Sequence, residues 1–191
     1  MTGQRLTALG TVCTLAGLVM VAWFGVALVR MSTYQVHRGA ELDREMLSHP
    51  AEPRVFPAPR EGVLLGSLSI PRVGVSSVIV EGAGEHDLEF SVGHIPGTAL
   101  PGQKGNVALA GHRDTFFRGL QGICKRDDIL VTTPEGNRLY EVDSTRIVSP
   151  EDVYVLDDVG RPVLTLVTCY PFNYIGAAPK RFIVQAHLVG G

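Results

Sequence analysis

The sequence lacks the features that mark several large classes of protein. Its 17 Lys and Arg residues are balanced by 19 Asp and Glu, which gives a formal net charge of −2 over 191 residues. Without a basic excess there is no positive stripe to neutralise a phosphate backbone, so nucleic acid is not the expected partner. The sequence also lacks a zinc-ligand pattern, a glycine-rich phosphate loop, internal repeats and low-complexity blocks. We therefore predict no metal and no cofactor.

Cysteine is scarce as well, with only Cys13, Cys124 and Cys169 present. Cys13 lies inside an apolar run, where it cannot pair with the other two. Cys124 and Cys169 could form a disulfide outside the cell. We predict that they do not, because the bond would consume the thiol identified below as a candidate nucleophile. Cys124 is instead predicted to be a small buried hydrophobic residue.

Charge is absent from residues 6–29, which are flanked by Arg5 and Arg30. A run of this length can span a bilayer as a helix, whereas the apolar core of a secretory signal is usually about 7–15 residues long. No small-x-small cleavage site follows, so we predict an uncleaved transmembrane signal-anchor with residues 1–5 in the cytoplasm. The positive-inside rule does not fix this orientation, which follows instead from the function proposed for the remaining domain.

Residues 30–61 are predicted to connect this anchor to a folded domain. The first part is polar and could extend the helix, and Pro50, Pro53, Pro57 and Pro59 then fall within ten residues. Proline at this density gives a stiff, extended stalk of about 30 Å, at about 3.1 Å per residue, which would hold the domain away from the membrane. Residues 62–191 remain, enough for a single domain with its own core.

From residue 62 onward, short β-type runs alternate with turn signals. Such a pattern predicts an all-β sandwich or barrel. A hairpin turn is expected at Pro134-Glu135-Gly136-Asn137. Short helical turns are expected at residues 85–90 and 116–120, and a helix start at Ser149, followed by Pro150. The predicted strands cover residues 63–70, 73–81, 106–110, 128–133, 138–147, 163–169 and 181–189.

Three polar residues lie at the ends of predicted strands. Cys169 ends the run VLTLVTC, His112 follows the run NVALAG, and Arg181 begins the last run. Each residue alone is more often structural: a small buried thiol, a loop imidazole and a surface cation. Together they could meet at one rim, where a thiol nucleophile would find a base and a cation to stabilise an oxyanion.

The segments LAGHRDTFF, TLVTC and YPFNYIGAAPKRFIV, with an arginine heading the last strand, resemble the sortase family of cysteine transpeptidases. The resemblance is strongest to the class D branch and covers about residues 62–189. It implies a closed β-barrel of about eight strands with short helices, preceded by one transmembrane helix. In such a fold residues 149–161 would form one wall of the substrate groove. The resemblance also implies that His112, Cys169 and Arg181 are the catalytic residues.

The same resemblance implies an activity. The enzyme would cleave an LPxTG-like sorting motif of a secreted protein, form a thioester, and transfer the acyl group to an amine of a cell-wall precursor or a pilin lysine. Its catalytic domain would lie outside the cytoplasmic membrane. One alternative is an L,D-transpeptidase that cross-links peptidoglycan, but TLVTCYP lacks the glycine and histidine that precede the cysteine in that family. A second alternative, a non-catalytic peptide-binding barrel, gives no reason to keep all three polar residues.

Three further residues are predicted to bind substrate. Thr168 and Tyr170 flank Cys169, although alternation directs Thr168 to the opposite face of the strand. His94 is expected in a loop near the groove, where its simpler role would be to bind loop backbone groups. The acidic residues of 85–90 suggest calcium, but their spacing fits no oxygen-ligand loop, so a solvated face is expected.

Overall fold

A computed structural model of the protein describes residues 2–48 and 59–191. Most of the predicted proline-rich stalk, including Pro50, Pro53 and Pro57, lies outside these ranges. The first element is helix α1, Thr2–Ser48, which continues through the polar segment that follows the apolar run. Within it, Gly10–Leu47 contains a stretch long and apolar enough to cross a membrane. The large apolar side chains from Val12 to Val29 are exposed, as expected of a surface that contacts lipid.

Eight strands form a closed barrel in the order β1-β2-β3-β4-β7-β8-β6-β5, which confirms the predicted fold. Neighbouring strands are antiparallel except for the parallel pairs β2–β3 and β4–β7. The strands are β1 Leu64–Ile70, β2 Val75–Glu81, β3 Val92–His94, β4 Asn106–Ala110, β5 Asp128–Thr133, β6 Gly136–Val148, β7 Val163–Tyr170 and β8 Lys180–Gly190.

The inward-facing residues of these strands fill the barrel. Alternation sends every second side chain to the interior, and these positions carry branched apolar residues. Each contributes about 1.5–3 kcal/mol by burial. The barrel core includes Leu68, Ile79, Leu109, Phe117, Ile129, Tyr140, Leu164, Leu166 and Val184. The rigid wall that results positions the polar residues at the strand ends.

The connections agree with the predictions in part. Helix α2, Glu85–Phe90, and the β5–β6 hairpin are where they were expected. A 3₁₀ helix at Arg118–Gly122 lies two residues later than predicted. The predicted helix start at Ser149 is wrong. The Asp152 carboxylate accepts a hydrogen bond from the Ser149 backbone N–H at 2.8 Å, which forms a turn, and a 3₁₀ helix begins only at Val153.

The polar half of α1 packs on the barrel. Gln35 Oε1 accepts a hydrogen bond from the Val78 N–H at 2.9 Å, and Gln35 Nε2 donates to the Phe90 carbonyl at 2.6 Å. One turn later, Arg38 Nη2 donates to the Gly62 carbonyl at 3.1 Å. Leu42, one turn further on, is buried. The same helix therefore carries the apolar run in its first half and packs against the outside of the barrel in its second half.

Candidate active site

Cys169 lies near the end of β7 and on the outer face of the barrel. Leu164 and Leu166 belong to the interior core, whereas Val167 packs on a second apolar cluster outside it. Because side chains alternate along a strand, Cys169 shares the outer face with Val167. The thiol is half-buried and free.

Arg181 lies directly across from Cys169. The antiparallel strands β7 and β8 pair Cys169 with Arg181 and Val167 with Ile183. Cross-strand partners of this kind have Cβ atoms about 4.5–5.5 Å apart on the same face. The Arg181 guanidinium donates through Nη1 to the carbonyls of Ala178 at 3.3 Å and Lys180 at 3.1 Å. In this structure it therefore binds its own connecting loop.

His112 lies at the end of the strand on the other side of β7. Strands β4 and β7 are parallel, and Ala110 pairs with Val167. Continuing that register by two residues brings His112 level with Cys169. The Gly111 N–H still donates to the Val167 carbonyl at 3.2 Å, so the contact extends past the end of β4. The imidazole is half-buried and forms no side-chain hydrogen bond within the described part of the chain.

Residues 149–161 are fastened across the outside of the barrel. The Asn106 side chain donates to the carbonyls of Val155 at 3.0 Å and Asp157 at 3.1 Å. Asn106 Oδ1 in turn accepts a hydrogen bond from the Thr165 hydroxyl at 2.7 Å. Val155 packs on Ile183, beside the Cys169–Arg181 pair. The segment thus borders the outer face on which Cys169 lies.

Thr168 and Tyr170 face the opposite way from Cys169. The Thr168 hydroxyl is buried and donates to the Gly111 carbonyl at 2.7 Å, which ties β7 to the segment that leads to His112. Tyr170 stacks on Phe182 and contacts Phe172 edge-on, with ring centroids 6.3 and 6.1 Å apart. Both side chains therefore pack within the rim, and the prediction that they contact substrate stays a prediction.

The prediction that His94 lies in a loop is wrong, and the prediction that it binds substrate stays a prediction. His94 lies on β3, which the sequence did not reveal, and is only 1% exposed. Its Nδ1 is 2.7 Å from Glu81 Oε2, and its Nε2 is 2.9 Å from the Ala99 carbonyl. The Ala99 carbonyl can only accept, so Nε2 donates to it, and Nδ1 forms the second hydrogen bond with the Glu81 carboxyl group. Both ring nitrogens therefore form hydrogen bonds within the barrel wall.

Cys124 also differs from its prediction, because it is exposed rather than buried. It lies in a turn closed by Asp127, whose carboxylate accepts the Cys124 N–H at 2.6 Å and also binds Arg72. The hydrogen bond to Arg72 holds the pKa of Asp127 below its ordinary value of 3.8. The backbone of this turn is therefore ordered by the buried carboxylate, while the exposed Cys124 donates through Sγ to the Gly122 carbonyl at 3.7 Å.

Sequence patterns did not indicate a role for one residue at the rim, Arg113. Its side chain is 7% exposed and reaches into the loop between β7 and β8. It donates to the carbonyls of Pro171 at 3.1 Å, Tyr174 at 2.6 Å and Gly176 at 3.1 Å. The signal available beforehand was its position beside His112, but an arginine in a polar loop is ordinarily a surface residue.

Among residues 2–48 and 59–191, no cluster of three His, Cys, Asp or Glu side chains is arranged to hold a metal ion. The arrangement described above instead brings a thiol, an imidazole and a guanidinium to the ends of three neighbouring strands. A thiol in this setting can form a covalent acyl intermediate, with the imidazole to transfer protons and the cation to stabilise negative charge on oxygen.

Comparison with known proteins identifies the family. Residues 68–189 match the sequence model of the sortase domain. The chain is 38% identical to sortase D of Bacillus subtilis over 132 residues, 69% of this chain and 67% of that protein. It is 27% identical to sortase A of Bacillus anthracis over 170 residues, 86% of this chain and 79% of that protein.

Solved structures agree with this assignment. A Clostridium perfringens sortase D5 transpeptidase superposes with a TM-score of 0.69 at 27% identity, covering 83% of this chain and 99% of that one. A sortase from Actinomyces oris superposes with a TM-score of 0.64 at 29% identity, covering 72% of this chain and 86% of that one. The protein belongs to the sortase family and is a class D-like cysteine transpeptidase.

Proposed function

We propose that the protein is a membrane-anchored enzyme that cleaves an LPxTG-like sorting motif of a secreted protein and transfers the acyl part to an amine. In this cycle Cys169 Sγ attacks the backbone carbonyl of the motif. Arg181, helped by a backbone N–H, stabilises the oxyanion. His112 protonates the departing amine, which leaves a thioester. An amino group of a cell-wall precursor or a pilin lysine then displaces the sulfur and forms a new amide bond.

The observation that supports this cycle is the register of three strands. Cys169 and Arg181 are cross-strand partners on one side of β7. On the other side, Ala110 pairs with Val167, two residues before His112 and Cys169 respectively. Groups far apart in the sequence thus reach one rim, and the thiol lies between the base and the cation. The exchange of one amide for another needs no external energy source.

Recognition of the leucine and proline of an LPxTG-like motif is supported by the surroundings of the thiol. Large apolar side chains are exposed in both segments that adjoin the Cys169–Arg181 pair. Apolar residues that are exposed together on a surface are typical of a binding site. In the segment before β7 these residues are Val153, Tyr154 and Val159, and in the β7–β8 loop they are Tyr174 and Ile175, which is 99% exposed.

Membrane anchoring is supported by α1, whose apolar stretch is long enough to cross a bilayer. With the amino terminus in the cytoplasm, the barrel would lie outside, where secreted substrates and wall precursors are found. In this arrangement the enzyme is a single-pass membrane protein that acts at the cell surface.

The test is intact mass spectrometry of the full chain in detergent micelles, incubated with a library of LPxTG-like peptides. We expect a mass increase equal to the acyl part of one motif, released by hydroxylamine, as a thioester requires. The adduct should be absent in Cys169→Ala and retained in Cys124→Ala, a matched control because Cys124 is the more exposed thiol. An adduct on Cys124, or none with any peptide, would contradict the proposal.

A further inference from the structure

Arg113 is a buried cation without a buried carboxylate to balance it. Its side chain is 7% exposed, and the carboxylate within 4 Å among the described residues is that of Asp114. That contact is long, 3.5 Å from Arg113 Nε to Asp114 Oδ2, and Asp114 is 64% exposed. Arginine is almost never buried unless its charge is compensated. The compensation here must come from elsewhere.

Three backbone carbonyls provide it. Arg113 Nη1 donates to Pro171, and Nη2 donates to Tyr174 and Gly176, at 3.1, 2.6 and 3.1 Å. The Tyr174 ring adds a cation–π contact, 5.9 Å from the guanidinium carbon to the ring centroid. All three acceptors belong to the loop between β7 and β8, whose carbonyls therefore converge on one planar guanidinium.

The position of Arg113 gives these contacts a consequence for the site. It is the residue after His112, and it binds Pro171, two residues after Cys169. The loop that it holds ends at β8, which begins at Lys180 beside Arg181. One side chain thus joins the segments that carry the imidazole, the thiol and the cation. Displacements of about 1 Å between reacting groups can lower rates about 100-fold.

We propose that Arg113 is a positioning residue of the transpeptidase: it fixes the β7–β8 loop to the His112 segment and so sets the geometry among the predicted catalytic residues. The proposal rests on the proposed function for the roles of those residues. It requires the planar fork of arginine. A lysine ammonium is a compact point charge and cannot align with three separate carbonyls in the same way.

The first test is steady-state kinetics of the full chain in detergent, with a peptide identified by the acylation experiment. We expect kcat of Arg113→Met to fall about 30- to 100-fold, with a smaller change in KM, and Arg113→Lys to lie between it and the unaltered enzyme. Arg118→Met is the matched control. Arg118 is exposed, lies on the same segment, and makes no side-chain hydrogen bond among the described residues.

The second test does not depend on the sorting motif. The alkylation rate of Cys169 by iodoacetamide is measured against pH, with the modified residue identified by peptide mass mapping. If Arg113 positions His112, the profile of Arg113→Met should shift toward that of His112→Ala, while Arg118→Met keeps the original profile. Arg113→Lys carries this test if Arg113→Met does not fold.

The outcomes separate the two proposals. A lower melting temperature with unchanged kcat, KM and alkylation profile would reduce Arg113 to a purely structural residue and overturn this inference. If no peptide is cleaved, but the alkylation profile still shifts in Arg113→Met, the proposed function fails and the positioning role stands.

Discussion

The chain contains Gly-His twice, at neighbouring places in the barrel, and the two histidines have opposite surroundings. His94 is 1% exposed and both of its ring nitrogens are bonded. His112 is half-buried and its ring forms no hydrogen bond among the described residues. One ring is fixed in the wall and the other is available for chemistry. The dipeptide itself therefore does not determine the role; the elements around it do.

Both glycines are required by packing. A Cβ on Gly93 would lie 2.1 Å from the Gly82 carbonyl oxygen, and one on Gly111 would lie 2.8 Å from the buried Phe117 ring. Each histidine is thus preceded by a point where the chain passes too close to a neighbour for a side chain. The repetition of Gly-His reflects a close approach at each glycine, of backbone at Gly93 and of the Phe117 ring at Gly111. The comparison can be tested residue by residue.

The largest expected effect is on activity, at His112. His112→Gln should lower the rate of acyl transfer about 1000-fold, because the leaving amine would lose its proton donor. The free energy of unfolding should change by less than about 0.5 kcal/mol, since no side-chain hydrogen bond is lost. Peptide cleavage and urea unfolding measure the two quantities. A variant within tenfold of the original rate would remove the distinction between the histidines.

The opposite result is expected at His94. His94→Ala leaves the Glu81 carboxyl group buried without its partner and should lower the free energy of unfolding by about 3–5 kcal/mol. The fraction that stays folded should transfer acyl groups at the original kcat. Glu81→Gln should cost less, because its amide can still donate to Nδ1. Urea titration combined with kinetics at low temperature checks this, and a stable but inactive His94→Ala protein would contradict it.

An intermediate effect is expected where the two regions meet. Gly111→Ala should lower the free energy of unfolding by about 1–3 kcal/mol through overpacking against Phe117. It should also lower kcat about tenfold, because the segment that carries His112 must shift. Melting temperature and peptide cleavage are the measurements. Unchanged kcat in a destabilised protein would show that the His112 segment tolerates displacement.

The smallest effect concerns pH, at a buried carboxylate that is paired with an exposed arginine instead of a histidine. The hydrogen bond from Arg72 lowers the pKa of folded Asp127 below 3.8. The stability that results is present above pH of about 4 and is lost as pH falls through the lowered pKa. Asp127→Asn should therefore be less stable at pH 7, with a difference that narrows below pH 4. Urea unfolding from pH 7 to pH 2 checks this, and a constant difference would contradict it.

The strands of the barrel were predictable because their signals are local. Alternation and turn residues located β4 and β5 to the residue. Strand β3 was missed because three residues are too few to show alternation. The parallel pairing of β4 with β7 cannot be derived from spacing, because it joins residues 57 positions apart through tertiary contacts. The resemblance to the sortase family implied that His112 and Cys169 lie close together, and the β4–β7 register explains how they do so.

The site was predictable to a similar extent. The three rim residues each ended or began a β-type run, so their positions could be read from the pattern. The pattern could not predict the environments of His94, Cys124 and Arg113. Whether a polar side chain turns inward or outward depends on which carbonyls and carboxylates the fold brings to it. Arg113 illustrates this, because its three acceptors begin 58 residues further along the chain.

The continuity of α1 has a consequence for the orientation of the barrel relative to the apolar run. Because α1 is continuous, there is no flexible joint between the apolar run and the Gln35 contact. The tilt of the apolar run relative to the bilayer would therefore also set the orientation of the barrel. Gln35 binds beside β3, whose start lies at the rim end, and Arg38 binds toward the opposite end. The apolar run therefore leaves the barrel from the rim end. With that run in a bilayer, the rim end of the barrel would lie nearer to the lipid headgroups than the opposite end.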